Sequence, residues 1–263
     1  MTSVKELSKK TVLTLKNEGM GAVLKKAKHK ICGEQDVEYE SGKIFKDVLF
    51  INGCDASVPH PARYRVTHQR EQLEAHNVST DQVFYADLQL DQVRFYRTFI
   101  FFRCPYTDTI GEFINIAKEL NKKVLFDIDD LVIDTKYTDT IKYLSTLKKE
   151  EKELYDDGVR RMGRTLSLCD AAITTTERLA EELGHYVSEV FINRNTASDE
   201  MYALSEKAWR EKKREDKTVG IGYFSGSMTH NDDFLLVLPA LQEIMENNSN
   251  VRLHVVGELD LPN

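Results

Sequence analysis

From Lys46 onward the sequence alternates short apolar runs with longer amphipathic or charged stretches. Six runs of strand-like composition occupy residues 47–53, 82–87, 98–103, 123–130, 171–176 and 188–195. Short continuous apolar runs predict buried strands, and the longer stretches between them predict helices, one of them a long charged helix over roughly residues 138–168. Strands of this kind that alternate with helices form a parallel sheet covered on both faces. The pattern therefore predicts an α/β fold with a Rossmann-type parallel sheet flanked by helices.

Changes in composition divide the chain into four parts. We predict a basic helical arm and linker over residues 1–45 and the sheet domain over residues 46–196. Residues 197–216 are highly charged and predict a surface linker helix, after which residues 217–263 begin a second α/β unit with a helix over about residues 231–247. One strand–helix–strand cannot cover both faces of its own sheet, so we expect this second Rossmann-like unit to be incomplete.

Charge, cysteine spacing and hydropathy narrow the range of functions. The 263 residues carry a formal net charge of −7, so the molecule as a whole has no electrostatic attraction for nucleic acid. The cysteines are widely spaced without a CxxC pair, so the sequence supports neither a zinc site nor a redox pair. No apolar run approaches the roughly 18–20 residues that span a bilayer, and no signal-peptide core is evident. We therefore expect a cytoplasmic protein.

The N-terminal arm is an exception to the acidic charge. Its first 30 residues contain eight lysines against Glu6 and Glu18. A Lys-rich amphipathic helix can lie on an anionic membrane, at about 1 kcal/mol per lysine near the surface. Residues 1–31 contain no Trp or Phe that would anchor such a helix, so a solvated or core-packing helix fits equally well. Peripheral contact with the inner face of the cell membrane is one of the two interpretations.

Carboxylates cluster where the predicted strand in KVLFDIDD ends. Asp127, Asp129 and Asp130 leave that strand at its carboxyl end, where open α/β sheets bind ligands. Close carboxylates repel, so one could have a raised pKa and act as a general base, or the group could hold a divalent cation. A solvated turn in which the carboxylates cap backbone amides explains the same residues. Asp127 and Asp130 are the catalytic candidates.

Basic side chains follow two other predicted strands. Arg63, Arg65 and His68 cluster where the first loop enters its helix, and Arg103 ends the run TFIFFR. The planar guanidinium group suits phosphate or carboxylate recognition. The alternative for the first three is an amphipathic helix with solvated charges. We predict that all four residues line one cleft.

A turn of small residues closes the first strand of the second unit. Ser225, Gly226 and Ser227 allow backbone N–H groups to approach a phosphate at the start of the following helix. This turn is neither a Walker A loop nor GxGxxG. A plain capped turn, with Thr229 or Asn231 as the cap, explains it equally well.

The order of these motifs resembles bacterial glycosyltransferases of family 4 and its neighbours, which have the two-domain GT-B fold. The matching stretches are RYR…QREQL, IFFR, KVLFDIDDLV, AAITTTERLAEEL, VFINRN and, most specifically, VGIGYFSGSMTHNDDFLLVLPALQEIMENNSNVRLHVVGEL. The last of these is similar to the opening of the family's donor domain. The resemblance covers about residues 46–263.

The resemblance implies retaining transfer of a sugar from a nucleotide-sugar donor to a glycan or lipid-linked acceptor, in the assembly of surface polysaccharide. It implies no bound metal or other cofactor. Ser225, Gly226 and Ser227 would then face the donor phosphates. The acceptor side of the cleft would be lined by Arg65, Arg103, Asp127 and Asp130. The family's Glu-rich donor motif has no counterpart before Asn263, so we expect a truncated donor domain.

Two alternatives remain open on the sequence. A strand that ends in DxDxT carries the nucleophile of haloacid-dehalogenase-type phosphatases, and Asp127 would be that nucleophile here, although Leu131 replaces the Thr. The chain could instead be a non-catalytic binding module that a partner chain completes.

Overall fold

The structure is a computed structural model that describes residues 45–55, 59–211, 217–226 and 231–259. The basic arm predicted over residues 1–45 lies outside the described residues except for Phe45, and Ser227 and Thr229 also lie outside them. No helix among the described residues is long and apolar enough to cross a membrane.

The described part of the chain contains both strands and helices in alternation. The strands are β1 (Lys46–Asn52), β2 (Thr80–Phe84), β3 (Tyr96–Phe102), β4 (Lys123–Asp127), β5 (Ala171–Thr174), β6 (Val190–Ile192), β7 (Val219–Phe224) and β8 (Val251–Val256). The helices are α1 (Pro59–Ala62, a π-helical turn at Arg63–Thr67, and His68–Ala75), α2 (Asp108–Glu119), α3 (Thr135–Thr138), α4 (Lys142–Thr146), α5 (Lys149–Leu168), α6 (Glu177–Leu183), α7 (Asp199–Glu211) and α8 (Asn231–Asn247). Short 3-10 segments at Tyr85–Asp87 and Leu90–Phe95 connect β2 to β3.

The chain divides into two compact units. The first comprises residues up to Asp130 together with Arg164–Thr196, and the second comprises Leu131–Gly163 with the residues from Ala197 onward. The sequence analysis had placed residues 131–163 within the sheet domain, whereas they cluster with the second unit.

The first unit contains a six-stranded sheet in the order β2-β1-β3-β4-β5-β6, in which every neighbouring pair is parallel. The predicted α/β fold with a parallel sheet flanked by helices is confirmed. Strand β2 lies on one side of β1, whereas β3 and the strands that follow it lie in succession on the other side. The strand order therefore reverses between β1 and β3, and open α/β sheets bind ligands at such a reversal.

The two faces of this sheet are covered by helices from opposite sides of the reversal. Val66 of α1 packs with Phe50 and Phe102 on one face. On the other face, Phe113 of α2 makes edge-to-face contacts with Phe99 and Phe101, at centroid distances of 4.8 and 6.2 Å. A right-handed crossover places its helix on one face of the sheet when the chain moves to one side, and on the opposite face when the chain moves to the other side. Because this direction changes between β1 and β3, helices cover both faces. This double burial explains why the strands read as continuous apolar runs.

The charged stretch that we predicted as one helix over residues 138–168 is three helices, α3, α4 and α5. Hydroxyl side chains account for the breaks, because Thr140, Ser145 and Thr146 each donate to the carbonyl three residues earlier, at 2.6–2.7 Å. Such bonds compete with the helical backbone pattern. The prediction of a single helix was wrong for this reason.

In the second unit, β7 and β8 form a two-stranded parallel sheet with α8 between them in sequence. Tyr223 of β7 contacts Phe234 of α8 edge to face, at a centroid distance of 4.8 Å. Helix α8 spans the residues predicted for it. Helix α7 exposes most of its surface, as predicted for a charged linker helix, and buries none of its residues.

Two glycines on α5 provide a matched test of the packing of the second unit. A Cβ on Gly163 would lie 2.1 Å from the carbonyl oxygen of Ile133, whereas a Cβ on Gly158 would meet no atom of the described residues within 4 Å. We expect Gly158→Ala to stabilise the protein by about 0.5–1 kcal/mol through helix propensity. We expect Gly163→Ala to destabilise it by about 1–3 kcal/mol through overpacking.

Thermal unfolding followed by circular dichroism measures both changes, at roughly 2–4 °C per kcal/mol for a chain of this size. Equal shifts in the two variants would contradict the placement of α5 against Ile133.

Candidate functional site

The reversal point of the sheet is built from the residues that follow β1 and β3. The backbone N–H of Gly53 donates to the carbonyl of Phe102 at 2.8 Å, which keeps the two strand ends together. A Cβ at residue 53 would lie 2.2 Å from the carbonyl oxygen of Arg103, so this close approach requires glycine. Arg103 has a positive φ of 43°, which is uncommon for a non-glycine residue. Strained backbone at a strand end is a frequent property of functional sites.

An ion pair occupies this reversal point. The Nε of Arg103 lies 2.6 Å from Oδ1 of Asp129, and its Nη2 lies 3.9 Å from Oδ2 of Asp130. The side chains of Arg103 and Asp129 remain 22% and 15% exposed, and that of Asp130 is 63% exposed. A ligand can therefore reach both a guanidinium donor and carboxylate acceptors at this point.

Cys54 lies next to this pair. Its backbone N–H donates to Oδ1 of Asn52 at 2.9 Å, which fixes the turn that leaves β1. Burial raises the pKa of the Cys54 thiol to about 11, while Arg103 lowers it and Asp129 raises it. The thiol is therefore protonated at neutral pH and is a poor nucleophile.

A second, fully buried ion pair lies on the same edge of the sheet. Nε and Nη2 of Arg65 each donate to one oxygen of Asp127 at 2.9 Å, and Gln69 donates to Oδ2 of Asp127 at 2.5 Å. Arg65 and Asp127 are both 0% exposed. Burial raises the pKa of Asp127 to about 6, and Arg65 and Gln69 act in the opposite direction. Both carboxylate oxygens are thus engaged inside the protein.

The same turn of α1 holds the chain as it leaves the sheet. Nη1 of Arg65 donates to the carbonyl of Asn193 at 2.5 Å and to Oδ1 of Asn195 at 3.2 Å. His68 is buried, and its Nδ1 lies 2.9 Å from the carbonyl oxygen of Thr196, so Nδ1 carries the proton. Asp127, α1 and residues 193–196 therefore form one polar cluster, which we call the buried clamp.

The predicted cleft residues thus fall into distinct environments. Arg65, His68 and Asp127 belong to the buried clamp, where their polar groups bind protein. Arg103 and Asp130 lie at the reversal point and are accessible. Arg63, on the π-helical turn, is exposed. The catalytic role of Asp127 stays a prediction, and its contacts suit a structural role.

Two participants were missed in the sequence analysis. Asp129 was noted in the carboxylate cluster but was not chosen as a site residue, although it is the partner of Arg103. Gln69 was passed over within an amphipathic helix, although it binds Asp127. The i, i+4 spacing of Arg65 and Gln69 was the available signal, because residues four apart share one helix face.

The turn after β7 is the site predicted for donor phosphates. The N–H of Ser225 donates to the carbonyl of Val256 at 2.8 Å, and no described residue other than the chain neighbours has an atom within 4 Å of a Cβ built on Gly226. Helix α8 begins at Asn231 with Asp232 and Asp233 in its first turn. Acidic residues there oppose an anion, although Lys142 lies 3.0 Å from Asp232 and offsets part of that charge. Ser227 is outside the described residues.

No group of three or more His, Cys, Asp or Glu side chains in the described ranges has the arrangement of a metal site. The carboxylates of residues 127–130 diverge, because Asp127 turns into the buried clamp and Asp129 pairs with Arg103. Asp127 therefore does not join Asp129 and Asp130, both of which lie beside Arg103, in a three-carboxylate cation site.

No family model and no curated protein matches the sequence. Among solved structures, the chain is similar to a UDP-glucosyltransferase from Polygonum tinctorium capable of glucosylating indoxyl, in complex with 3,4-dichloroaniline. The identity is 9% and the TM-score is 0.36, over 81% of this chain and 71% of that chain. A likeness of this degree carries no argument about activity.

The buried clamp makes a strong prediction about stability. Asp127→Leu leaves the Arg65 guanidinium buried without its partner, so we expect a loss of about 3–5 kcal/mol in the free energy of unfolding. Arg65→Met/Asp127→Leu should recover part of that loss, because no buried charge remains. Arg178→Ala removes the ion pairs of a solvent-exposed arginine with Glu181 and Glu182 and should cost at most about 1 kcal/mol.

Urea denaturation followed by far-UV circular dichroism measures these values. If Asp127→Leu costs no more than Arg178→Ala, Asp127 does not hold the clamp together, and its catalytic interpretation gains support.

Cys54 reports on the charges at the reversal point. A thiol pKa of about 11, against the ordinary 9.0, leaves about 100-fold less thiolate at pH 8. Alkylation of Cys54 by iodoacetamide should therefore be slow at pH 8 and accelerate as the pH rises toward 11. Asp129→Asn removes a charge that raises the thiol pKa, so it should speed the reaction at pH 8.

Peptide mapping by mass spectrometry gives the rate at Cys54. Glu119→Gln, which neutralises an exposed carboxylate at the end of α2, is the control. An Asp129→Asn rate equal to the control rate would contradict the charge arrangement around Arg103.

Proposed function

We propose that the chain is a nucleotide-sugar-dependent glycosyltransferase or a part of one. The observation that carries the proposal is the accessible Arg103–Asp129 pair at the point where the order of a parallel sheet reverses. This is where a doubly wound sheet places a ligand. The resemblance of the motif order to family 4 glycosyltransferases supports sugar transfer as the reaction.

In this proposal the first unit binds the acceptor. Arg103 and Asp130 contact it, since both are accessible at the reversal point. Asp129 holds Arg103, and the buried clamp fixes the end of β4 from which Asp129 and Asp130 project. The acceptor is a glycan or a lipid-linked glycan of bacterial surface polysaccharide, met in the cytoplasm or at the inner face of the membrane.

The second unit binds the donor diphosphate through the turn after β7, where Gly226 is the candidate backbone donor because the N–H of Ser225 already binds the carbonyl of Val256. The support is a strand that ends in a small-residue turn before a helix, with no described residue crowding the Cβ position of Gly226. Backbone N–H groups in such a turn stabilise phosphate oxygens, so a leaving diphosphate does not depend on a metal.

The phosphatase alternative is disfavoured by the geometry of Asp127. A nucleophilic carboxylate has to reach the phosphorus atom of its substrate, whereas Asp127 is 0% exposed and both of its oxygens accept hydrogen bonds from Arg65. A non-catalytic binding module differs from the proposed enzyme in forming no product.

Nucleotide binding tests the donor half of the proposal. We expect UDP, GDP, ADP or dTDP, without added metal, to bind the chain in isothermal titration calorimetry. Gly226→Asp places a carboxylate in the open space at the turn, so it should weaken binding at least tenfold by repulsion. Gly226→Ala should bind like the unmodified chain, because a Cβ fits there.

Gly158→Asp makes the same chemical change at an open helical position and controls for added charge. The donor assignment is wrong if no nucleoside diphosphate binds, or if Gly226→Asp and Gly158→Asp bind it equally well. Release of the diphosphate from a bound nucleotide-sugar, measured with an added saccharide, then separates an enzyme from a binding module.

A further inference from the structure

We propose that the exposed apolar side of helix α8 is the docking surface for residues 20–31 of the same chain. This basic segment of the N-terminal arm lies outside the described residues, so its part in the contact rests on its sequence. The surface on α8 lies within the described residues. The contact is separate from the proposed donor and acceptor sites.

Helix α8 has apolar side chains on two sides, and one of these sides faces its own sheet. Phe234 is buried and contacts Tyr223 of β7 edge to face, at a centroid distance of 4.8 Å. Three half-buried side chains continue this side at helical spacing. They are Leu238, Leu241 and Met245.

The other apolar side of α8, which we call the outer stripe, is exposed. Its members are Leu236, Val237, Ala240 and Ile244. Leu236 is 81% exposed, and Val237 and Ile244 are each 41% exposed. Residues three and four apart share a helix face, so these side chains form one continuous strip. A helix that is apolar on both sides is typically buried on both, so the outer stripe indicates a contact with another element.

The charge of α8 indicates that this other element is basic. The helix contains four carboxylates and no Lys, Arg or His. Asp232 pairs with Lys142, and Asp233 also has a partner within the protein, so neither carries the proposal. Glu243 and Glu246 are exposed, and neither forms an ion pair within the part of the chain that the structure describes.

The basic residues of the neighbouring strands do not offset Glu243 and Glu246. Val255 of β8 is paired in register with Tyr223 and projects on the α8 side, whereas Arg252 projects on the opposite side of the sheet. Lys217, which precedes β7, is one exposed cation against two carboxylates. The C-terminal half of α8 therefore keeps a negative balance.

Residues 20–31 match this surface in charge and in apolar spacing. The segment contains four lysines and no Asp or Glu. Its apolar strip is Val23, Leu24, Ala27 and Ile31, with Met20 one turn earlier. These four have the same spacing as the four members of the outer stripe, and each strip has Ala at its third position. Two helices with a small residue at the centre of the contact can approach closely.

Other occupants fit the outer stripe less well. An anionic membrane attracts lysines and would be repelled by Glu243 and Glu246. A second copy of α8 would bring like charges together. Residues 20–31 combine an apolar strip with an excess of lysines, so they satisfy both requirements of the surface.

The linker after the segment gives it a wide reach within one chain. Residues 32–44 join Ile31 to Phe45. An extended chain spans about 3.3 Å per residue, so this linker reaches roughly 40 Å. That length exceeds the diameter of a small domain, about 30 Å.

Carbodiimide cross-linking of the full chain tests the contact directly. The reagent joins a carboxylate and an amine in an amide bond, with loss of water, and it adds no spacer, so it links groups that are already in contact. A mixture of unlabelled and isotope-labelled chains, digested and analysed by mass spectrometry, separates links within one chain from links between copies. We expect links within one chain that join Glu243 or Glu246 to the lysines of the segment. These lysines are Lys25, Lys26, Lys28 and Lys30.

Variants test the outer stripe. Leu236→Lys/Ile244→Lys replaces two exposed apolar groups with charges that repel the lysines of the segment, so the yield of these links should fall about fivefold or more. Leu204→Lys makes the same change at a 59% exposed position of α7 and should leave the yield unchanged. Far-UV circular dichroism shows whether each variant is folded.

Charge reversal separates the contact from the stability of α8 itself. Glu243→Lys/Glu246→Lys places cations near the C-terminus of α8, which favours the helix on its own. Loss of the docked segment acts in the opposite direction, so we expect the amides of residues 236–247 to exchange with deuterium about threefold faster or more. Adding Lys25→Glu/Lys26→Glu to that variant should restore the slow exchange.

The inference is overturned if the links are absent, if they form only between copies, or if the outer-stripe variant and Leu204→Lys give the same yield. It is also overturned if charge reversal does not speed the exchange, or if the added Glu residues fail to restore it. Absent links together with binding of the full chain to phosphatidylglycerol vesicles would assign the segment to a membrane surface instead.

Discussion

The buried ion pair between Arg65 and Asp127 is the constraint on which the edge of the sheet depends. Two unlike charges placed in the interior are stable only when their hydrogen-bonding groups are matched, and here both guanidinium–carboxylate contacts measure 2.9 Å. The pair joins α1 to the end of β4, and Arg65 also holds the carbonyl of Asn193. The positions of Asp129 and Asp130 follow, because they continue directly from β4.

The accessible chemistry lies one strand away, where the order of the sheet reverses. Gly53 lets the ends of β1 and β3 approach, and Arg103 adopts its positive φ in the resulting turn. Asp129 then fixes the guanidinium without burying it. The two ion pairs therefore have different roles. The fully desolvated Arg65–Asp127 pair supports the fold, whereas the partly solvated Arg103–Asp129 pair keeps hydrogen-bond donors and acceptors available to a ligand.

Much of the fold could be predicted from local patterns. Continuous apolar runs such as that of β3 indicated buried parallel strands, and the helix of residues 231–247 was found at its observed bounds. The single helix predicted over 138–168 was wrong, because periodicity does not show when Thr140 and Ser145 bind the backbone. The candidate site was predicted less well, since the residues that contribute to it come from separate strands.

The sequence by itself determined the α/β class, the parallel arrangement and the placement of polar residues at strand ends, because these follow from hydrophobic periodicity and from strand and turn composition. Tertiary structure alone decided which of those residues are buried and which are open. Asp127 and Asp129 are two positions apart, yet one faces Arg65 and the other faces Arg103. Partners more than 25 residues away in sequence set the contacts and the exposure of each carboxylate, and no local sequence pattern identifies those partners.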